Sequence, residues 1–194
     1  MGQAVIRSIL APAMPFDLQP VLEDSRVRLQ PLRAEDFAEL FAVACDPMIW
    51  EQHPSRNRYQ KAVFENYFKG AMESGGALLI RDRQTGQALG SSRFYDWDPA
   101  MDCIAIGYTF IARSHWGGGY NRAIKALMLD HAFQFVSSVL FHVGSSNLRS
   151  RRAMEKLGGR LVGEAAVSYY GEPANPNVIY RIDASDWQPQ QSAP

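Results

Sequence analysis

The spacing of polar and apolar positions changes period several times along the chain, and each change marks an element. Residues 26–32, Arg-Val-Arg-Leu-Gln-Pro-Leu, alternate as a half-buried strand does. From Ala34 to Asp46 the period turns helical, with Phe37, Leu40, Phe41 and Ala44 on one face, and Pro47 ends the run. A second helix is predicted from about Tyr59 to Glu73. Its stripe is Val63, Phe64, Tyr67, Phe68, Ala71 and Met72, and Gly75-Gly76 follows as a stop. Three strand-like runs come next: Ala77 to Arg83, Ala88 to Tyr95, and Asp102 to Ile111. Gln84 to Gln87 reads as a hairpin turn between the first two. The third run is apolar on both faces, which predicts a central, covered strand. A helix follows from about Asn121 to Val136, with Ile124, Leu127, Met128, His131 and Phe135 in register. Then come a short strand (Val139 to Val143), a helix (Asn147 to Leu157, closed by Gly158-Gly159) and two strands, Arg160 to Tyr170 and Asn177 to Ile182.

This order predicts an α/β (α+β mixed-sheet) protein. Hairpins build one half of a mostly antiparallel sheet of six or seven strands, and strand–helix–strand crossovers build the other, with helices on both faces. The 194 residues suit one domain, placed at 25–187 between an N-terminal arm (1–24) and a flexible tail (188–194). Twenty basic and twenty acidic residues cancel, so no overall field draws the chain to nucleic acid or to an anionic membrane. The stretch Ala4 to Met14 is short and carries Arg7 and Pro12, which argues against a membrane span or a secretory signal. Cys45 and Cys103 lie far apart in apolar stretches and read as buried free thiols. A cytoplasmic protein is expected. The four histidines show no HxH or HxxxH spacing, so no metal is expected.

The sharpest chemical feature is His115-Trp116-Gly117-Gly118-Gly119-Tyr120-Asn121-Arg122, between the central strand and an amphipathic helix. Three bare residues let the backbone turn tightly and aim several N–H groups at one point. The helix start adds unpaired donors and partial positive charge, so the place suits a phosphate or pyrophosphate, with Arg122 in support. A plain flexible connector has the same glycines. A P-loop needs Lys-Ser/Thr after the last glycine, where this chain has Tyr120-Asn121. The GxGxxG spacing of a dinucleotide turn is missing as well. Farther on, Ser150, Met154 and Leu157 share one helical face, so Ser150 points inward while Arg149, Arg152 and Lys156 can stay outside.

Trp116 to Asn121 resembles the Gln/Arg-x-x-Gly-x-Gly/Ala pyrophosphate loop of the GCN5-related N-acetyltransferases, the GNAT superfamily, with Gly119 on its invariant glycine. Trp116 and Asn121 depart from that pattern. The stretch from Ile106-Gly107-Tyr108 through Trp116-Gly-Gly-Gly-Tyr is similar to the RimJ/RimL-type ribosomal-protein branch, where Trp-Gly-x-Gly-Tyr is common. Asn147 to Gly158 resembles the family's Asn-x-x-Ser/Ala…Glu-Lys-Leu-Gly segment.

The resemblance implies a GNAT fold whose fourth and fifth strands splay around acetyl-CoA as cosubstrate. Phe110, Ile111 and Ala112 would bind the pantetheine by backbone. Residues 116–122 would hold the pyrophosphate, and Asn147 would touch the pantetheine arm. An amine, either a protein N-terminus or a small molecule, would attack the thioester directly, with one backbone N–H stabilising the oxyanion. Cys103 is then no nucleophile. Where relatives carry a Glu and a Tyr, this chain has Ala105 and Met154, so Ser150 becomes the candidate acid. Glu51, His53, Asp96, Asp98, Tyr108 and His142 are candidate bases, and Tyr108 and His142 join Ser150 as the preferred catalytic set. The acceptor would be shaped by residues 46–58 together with Tyr169, Tyr170 and Glu172. A non-catalytic acyl-CoA-binding regulator is the alternative. No nucleic acid or membrane partner is expected, and a homodimer is left open.

Overall fold

The computed structural model describes residues 15–188. The chain runs β1 (Leu22–Glu23), β2 (Val27–Pro31), α1 (Phe37–Ala44), α2 (Lys61–Glu73), β3 (Ala77–Asp82), β4 (Ala88–Asp98) and β5 (Cys103–Ile111). It continues with α3 (Tyr120–Ala132), β6 (Ser138–Gly144), α4 (Leu148–Leu157), β7 (Arg160–Ser168) and β8 (Ala174–Asp183). One eight-stranded sheet results, in the order β1-β2-β3-β4-β5-β6-β8-β7. The expected mixed α/β architecture is present, with one strand more than the hydrophobic pattern showed. That strand is the two-residue β1, too short to leave a periodic signal.

Every neighbouring pair is antiparallel except β5–β6, which α3 joins as a crossover. This parallel ladder holds only Cys103↔Ser138, Ile104↔Val139 and Ala105↔Leu140. Beyond Ala105, β5 continues against β4 alone while β6 continues against β8, and a wedge opens between them. The register of β5 also slips against β4. Ser91 faces Phe110 and Arg93 faces Gly107, so Tyr108 and Thr109 together oppose Ser92. This is a β-bulge, and Tyr108 sits in it at φ 52. The extra residue reverses the alternation. Ile104, Ile106 and Ile111 enter the core under α3 and α4, while Tyr108 and Phe110 turn to the face covered by α1 and α2.

Residues 15–24, expected within a loose arm, are packed on the domain. Phe16 is 6% exposed and meets Phe94, Phe135 and His131 with ring centroids at 5.3, 4.9 and 5.4 Å. His131 Nε2 donates to the Asp17 carbonyl at 2.7 Å. Burial of one phenylalanine is worth roughly 1.5–3 kcal/mol, enough to dock such a segment. Residues 1–14 and the tail beyond 188 lie outside the described residues. Both cysteines are free thiols, but Cys45 is exposed and Cys103 is half-buried, which corrects the expectation of burial. Cys45 caps α1 beside the buried Ala44 and turns its thiol back to the Ala42 carbonyl at 3.2 Å. No helix among the described residues is long and apolar enough to cross a membrane.

Candidate functional site

The wedge between β5 and β6 holds a cavity of about 750 Å³. Its walls come from the end of β5 (Thr109, Phe110, Ile111), the glycine loop, the first turn of α3 and the cavity face of α4. Ile49, Trp50, Gln52 and His53, on the α1–α2 connection, complete the wall.

The glycine loop has the geometry its sequence suggests. Gly117 lies at φ 77 and Gly119, the residue before α3, at φ 83, a region that L side chains enter only under strain. A Cβ at Gly117 would meet nothing within 4 Å, so this side of the loop is open. Trp116 anchors the turn, its indole N–H donating to the Ile111 carbonyl at 3.1 Å. Arg26, next to β2, holds the far side by donating to the Gly118 carbonyl at 2.7 Å. Arg149 lays its guanidinium over Trp116 at 4.0 Å and donates to the Ile49 carbonyl at 3.0 Å. The expectation that Arg149 stays outside is thereby corrected. A half-buried Trp offers its cation a π face that water cannot match. Asn147 caps α4, its side-chain oxygen accepting from the Ser150 N–H at 3.1 Å, and both residues line the cavity.

Of the sequence candidates for cofactor binding, Phe110, Ile111, Trp116, Gly117, Gly119, Asn121, Arg122 and Asn147 converge on the cavity. Ala112, Gly118 and Tyr120 do not line it. The Ala112 N–H is committed to the Leu89 carbonyl at 2.7 Å, and the Gly118 carbonyl accepts from Arg26. Tyr120 turns away, its hydroxyl donating to Asp82 at 3.3 Å and its ring meeting His115 edge-on at 4.7 Å.

Ser150 alone of the preferred catalytic set lines the cavity. Tyr108 and His142 stand in a separate cluster on the α1/α2 side of the wedge. The bulge presses the Tyr108 ring onto Arg93 at 3.9 Å, with Tyr95 and Tyr169 edge-on at 5.1 and 5.4 Å. His142 Nδ1 shares a 2.9 Å hydrogen bond with the Tyr95 hydroxyl, and burial lowers its pKa against the opposing pull of Asp96. Among the other candidate bases, only His53 reaches the cavity. Burial first and Arg58 second lower its pKa to about 3. Asp98 is engaged with the Ala100 and Met101 N–H groups.

Two of the residues expected to shape an acceptor site, Arg58 and Glu172, pair with each other. Arg58, 1% exposed, donates from Nε and Nη2 to the two carboxylate oxygens of Glu172, each at 3.0 Å. Its guanidinium lies over Tyr67, Tyr169 and Trp50 at 5.0, 5.2 and 5.7 Å. Tyr170, 38% exposed, packs instead over Gly70.

Arg122, Arg149, Arg152 and Lys156 line the cavity, and among the described residues no Asp or Glu does. A chain whose charges balance overall has gathered cations around one concave wall. Left-handed glycines, a helix start and this charge fit a polyanionic ligand with an extended arm. Among the described residues no group of three or more His, Cys, Asp and Glu could hold a metal ion.

Residues 26–160 match the family model described as "Acetyltransferase (GNAT) domain". Solved structures of similar shape include a probable GNAT-family acetyltransferase from Chromobacterium violaceum, at TM-score 0.79 and 17% identity, covering 96% of this chain and 98% of that one. RimJ of Mycobacterium smegmatis, in complex with CoA-disulfide, matches at TM-score 0.66 and 21% identity over 89% of each chain. Ribosomal-protein-S5-alanine acetyltransferase from Vibrio fischeri matches at 0.64 and 15%, covering 88% of this chain and all (100%) of that one. No curated protein matches the sequence.

Proposed function

Because the chain belongs to the GNAT acetyltransferase family, we propose that it moves the acetyl group of acetyl-CoA onto a primary amine, a protein N-terminus or a small-molecule amine. The observation that carries this reading is the wedge itself, a cavity walled by the glycine loop and four cationic side chains and, among the described residues, by no carboxylate. The loop backbone, the first-turn N–H groups of α3 and Arg122 would hold the diphosphate. The edge of β5 that β6 leaves unpaired beyond Ala105 would take the pantetheine arm as an added strand. Acetyl-CoA supplies the activated acyl group; the chain's own residues orient it and exclude water. The amine enters from the side of Trp50 and His53 and attacks the carbonyl directly, and a free backbone N–H on β5 stabilises the oxyanion. Ser150, on the first turn of α4, faces the same space. The ribosomal-protein specificities named for two structural neighbours support the N-terminal amine as acceptor.

One observation favours a second reading, a non-catalytic acyl-CoA-binding regulator: among the described residues no carboxylate base lines the cavity. A single experiment separates the two. Free thiol is followed after acetyl-CoA is mixed with the protein alone and then with a panel of amines and N-terminal peptides. The enzyme reading expects thiol release only with an acceptor. Tight acetyl-CoA binding with no release across the panel supports the regulator. Gly117→Val and Gly119→Val should each weaken acetyl-CoA binding about 10-fold or more, because both force a strained backbone at the loop. Unchanged binding in a folded variant would sink both readings.

A further inference from the structure

Any proton transferred at the cavity needs a donor or acceptor, and among the described residues the wall offers no carboxylate and two histidines: His53, whose pKa is about 3, and His115, whose Nδ1 shares a 2.9 Å hydrogen bond with Ser114 Oγ. A suitable group stands directly behind the wall. Lys125, on α3, is 3% exposed, and its Nζ donates to Thr109 Oγ1 at 2.6 Å, with Ser92 Oγ at 3.5 Å. Thr109 Oγ1 shares a further 2.7 Å hydrogen bond with Ser92, and Thr109 lines the cavity. Phe141 of β6 closes the other side, its ring centroid 5.5 Å from the ammonium nitrogen. β1 and β2, which also pack on α3, bring only Leu22, Val27 and Leu29 to this core. The charged groups that line the cavity, Arg122 a turn earlier on α3 and Arg149, Arg152 and Lys156 on α4, are all cations. A buried ammonium with two hydroxyl partners and no counter-charge is costly where a methionine would pack without penalty.

We propose that Thr109, backed by Lys125, protonates the coenzyme A thiolate as it leaves, with Thr109 touching the sulfur and Lys125 acting through it as the positioning and proton-holding residue. This inference rests on the acyl-transfer reading above. The amine nitrogen forms its bond to the carbonyl carbon and the carbon–sulfur bond breaks. The sulfur takes the Thr109 hydroxyl proton while Thr109 takes one from Lys125 Nζ. The proton shed by the new amide nitrogen restores the ammonium. Burial alone lowers the Lys125 pKa to about 7, close to the value an acid working at neutral pH requires.

The test uses the full chain and coenzyme A itself, with thiolate absorbance of the bound coenzyme as the readout. Below about pH 7, where Lys125 carries its charge, the bound thiol of the parent should show a roughly tenfold larger thiolate fraction than that of Lys125→Met, and the difference should close as pH rises past 7. Lys125→Arg should keep the excess of thiolate above pH 7 as well, because its guanidinium remains charged. Thr109→Val, which leaves the lysine in place, should behave like Lys125→Met and keeps the test open if that variant does not fold. With an acceptor in hand, Lys125→Met should lose about 100-fold in kcat with KM unchanged, and the loss should shrink for an aryl thioester donor. Identical thiol titration in parent, Lys125→Met and Thr109→Val overturns the proposal. Failure of the parent to bind coenzyme A at all overturns the acyl-transfer reading first.

Discussion

Among the described residues His53 and Lys125 form no ion pair with a carboxylate, and burial is the leading cause that lowers their pKa values, to about 3 and about 7. The two therefore impose different pH dependences on stability. The unfolded chain protonates His53 near pH 6.5, but the folded chain does not. Its contribution is intact above that pH and is lost as pH falls from about 6.5 toward 3. His53→Gln should flatten the acid side of a Tm-against-pH curve recorded by calorimetry. For Lys125 the unfolded state holds the extra proton between about pH 7 and 10.4, so stability rises with pH there, by at most about 1.4 kcal/mol per unit. Lys125→Met should remove that slope and raise Tm at pH 7. Arg149 acts through contact rather than titration. Arg149→Ala removes the Trp116 stack and the Ile49 hydrogen bond and should weaken acetyl-CoA about 5- to 10-fold by calorimetric titration, the range for a partly buried cation–π contact.

Between elements, the bidentate Arg58–Glu172 pair ties the α1–α2 connection to the β7–β8 turn. Its side chains are 2% and 13% exposed, so removal of one partner strands the other as a buried charge. Glu172→Ala should cost about 3–5 kcal/mol in denaturant unfolding, whereas Arg58→Met combined with Glu172→Leu should recover most of it. The bulge in β5 works at the same scale. One extra residue sends Tyr108 to the α1/α2 face and Thr109 to α3, which puts a hydroxyl within reach of Lys125.

At the scale of the molecule, charge is balanced in number and uneven in place. Twenty basic and twenty acidic residues cancel, yet the cavity wall carries Arg122, Arg149, Arg152 and Lys156. Acetyl-CoA affinity should fall as salt rises, because the exposed cations at the mouth are screened over about 8–10 Å. Lys156→Glu should weaken binding severalfold at low ionic strength, and the difference should close at about 1 M salt.

The sequence by itself determined the order of elements, the glycine turn and the fold class. Those features are local: the periods of Phe37–Ala44 and Val63–Met72, and the bare backbone of Gly117 to Gly119, carry their meaning within a few residues. It also showed Ser150 on an inward face. Lys125 left a trace, lying three positions before Met128 on the apolar stripe, but nothing in the sequence named its partner. Arg26, Thr109 and Arg149 were beyond sequence reasoning because each acts on a residue distant in the chain or behind a bulge that no periodicity reports. Tyr108 and His142 stand apart from the cavity for the same reason: one inserted residue in β5 and the separation of β5 from β6 decide which side chains share it. Only the tertiary structure, by letting the sheet part beyond Ala105, could decide that.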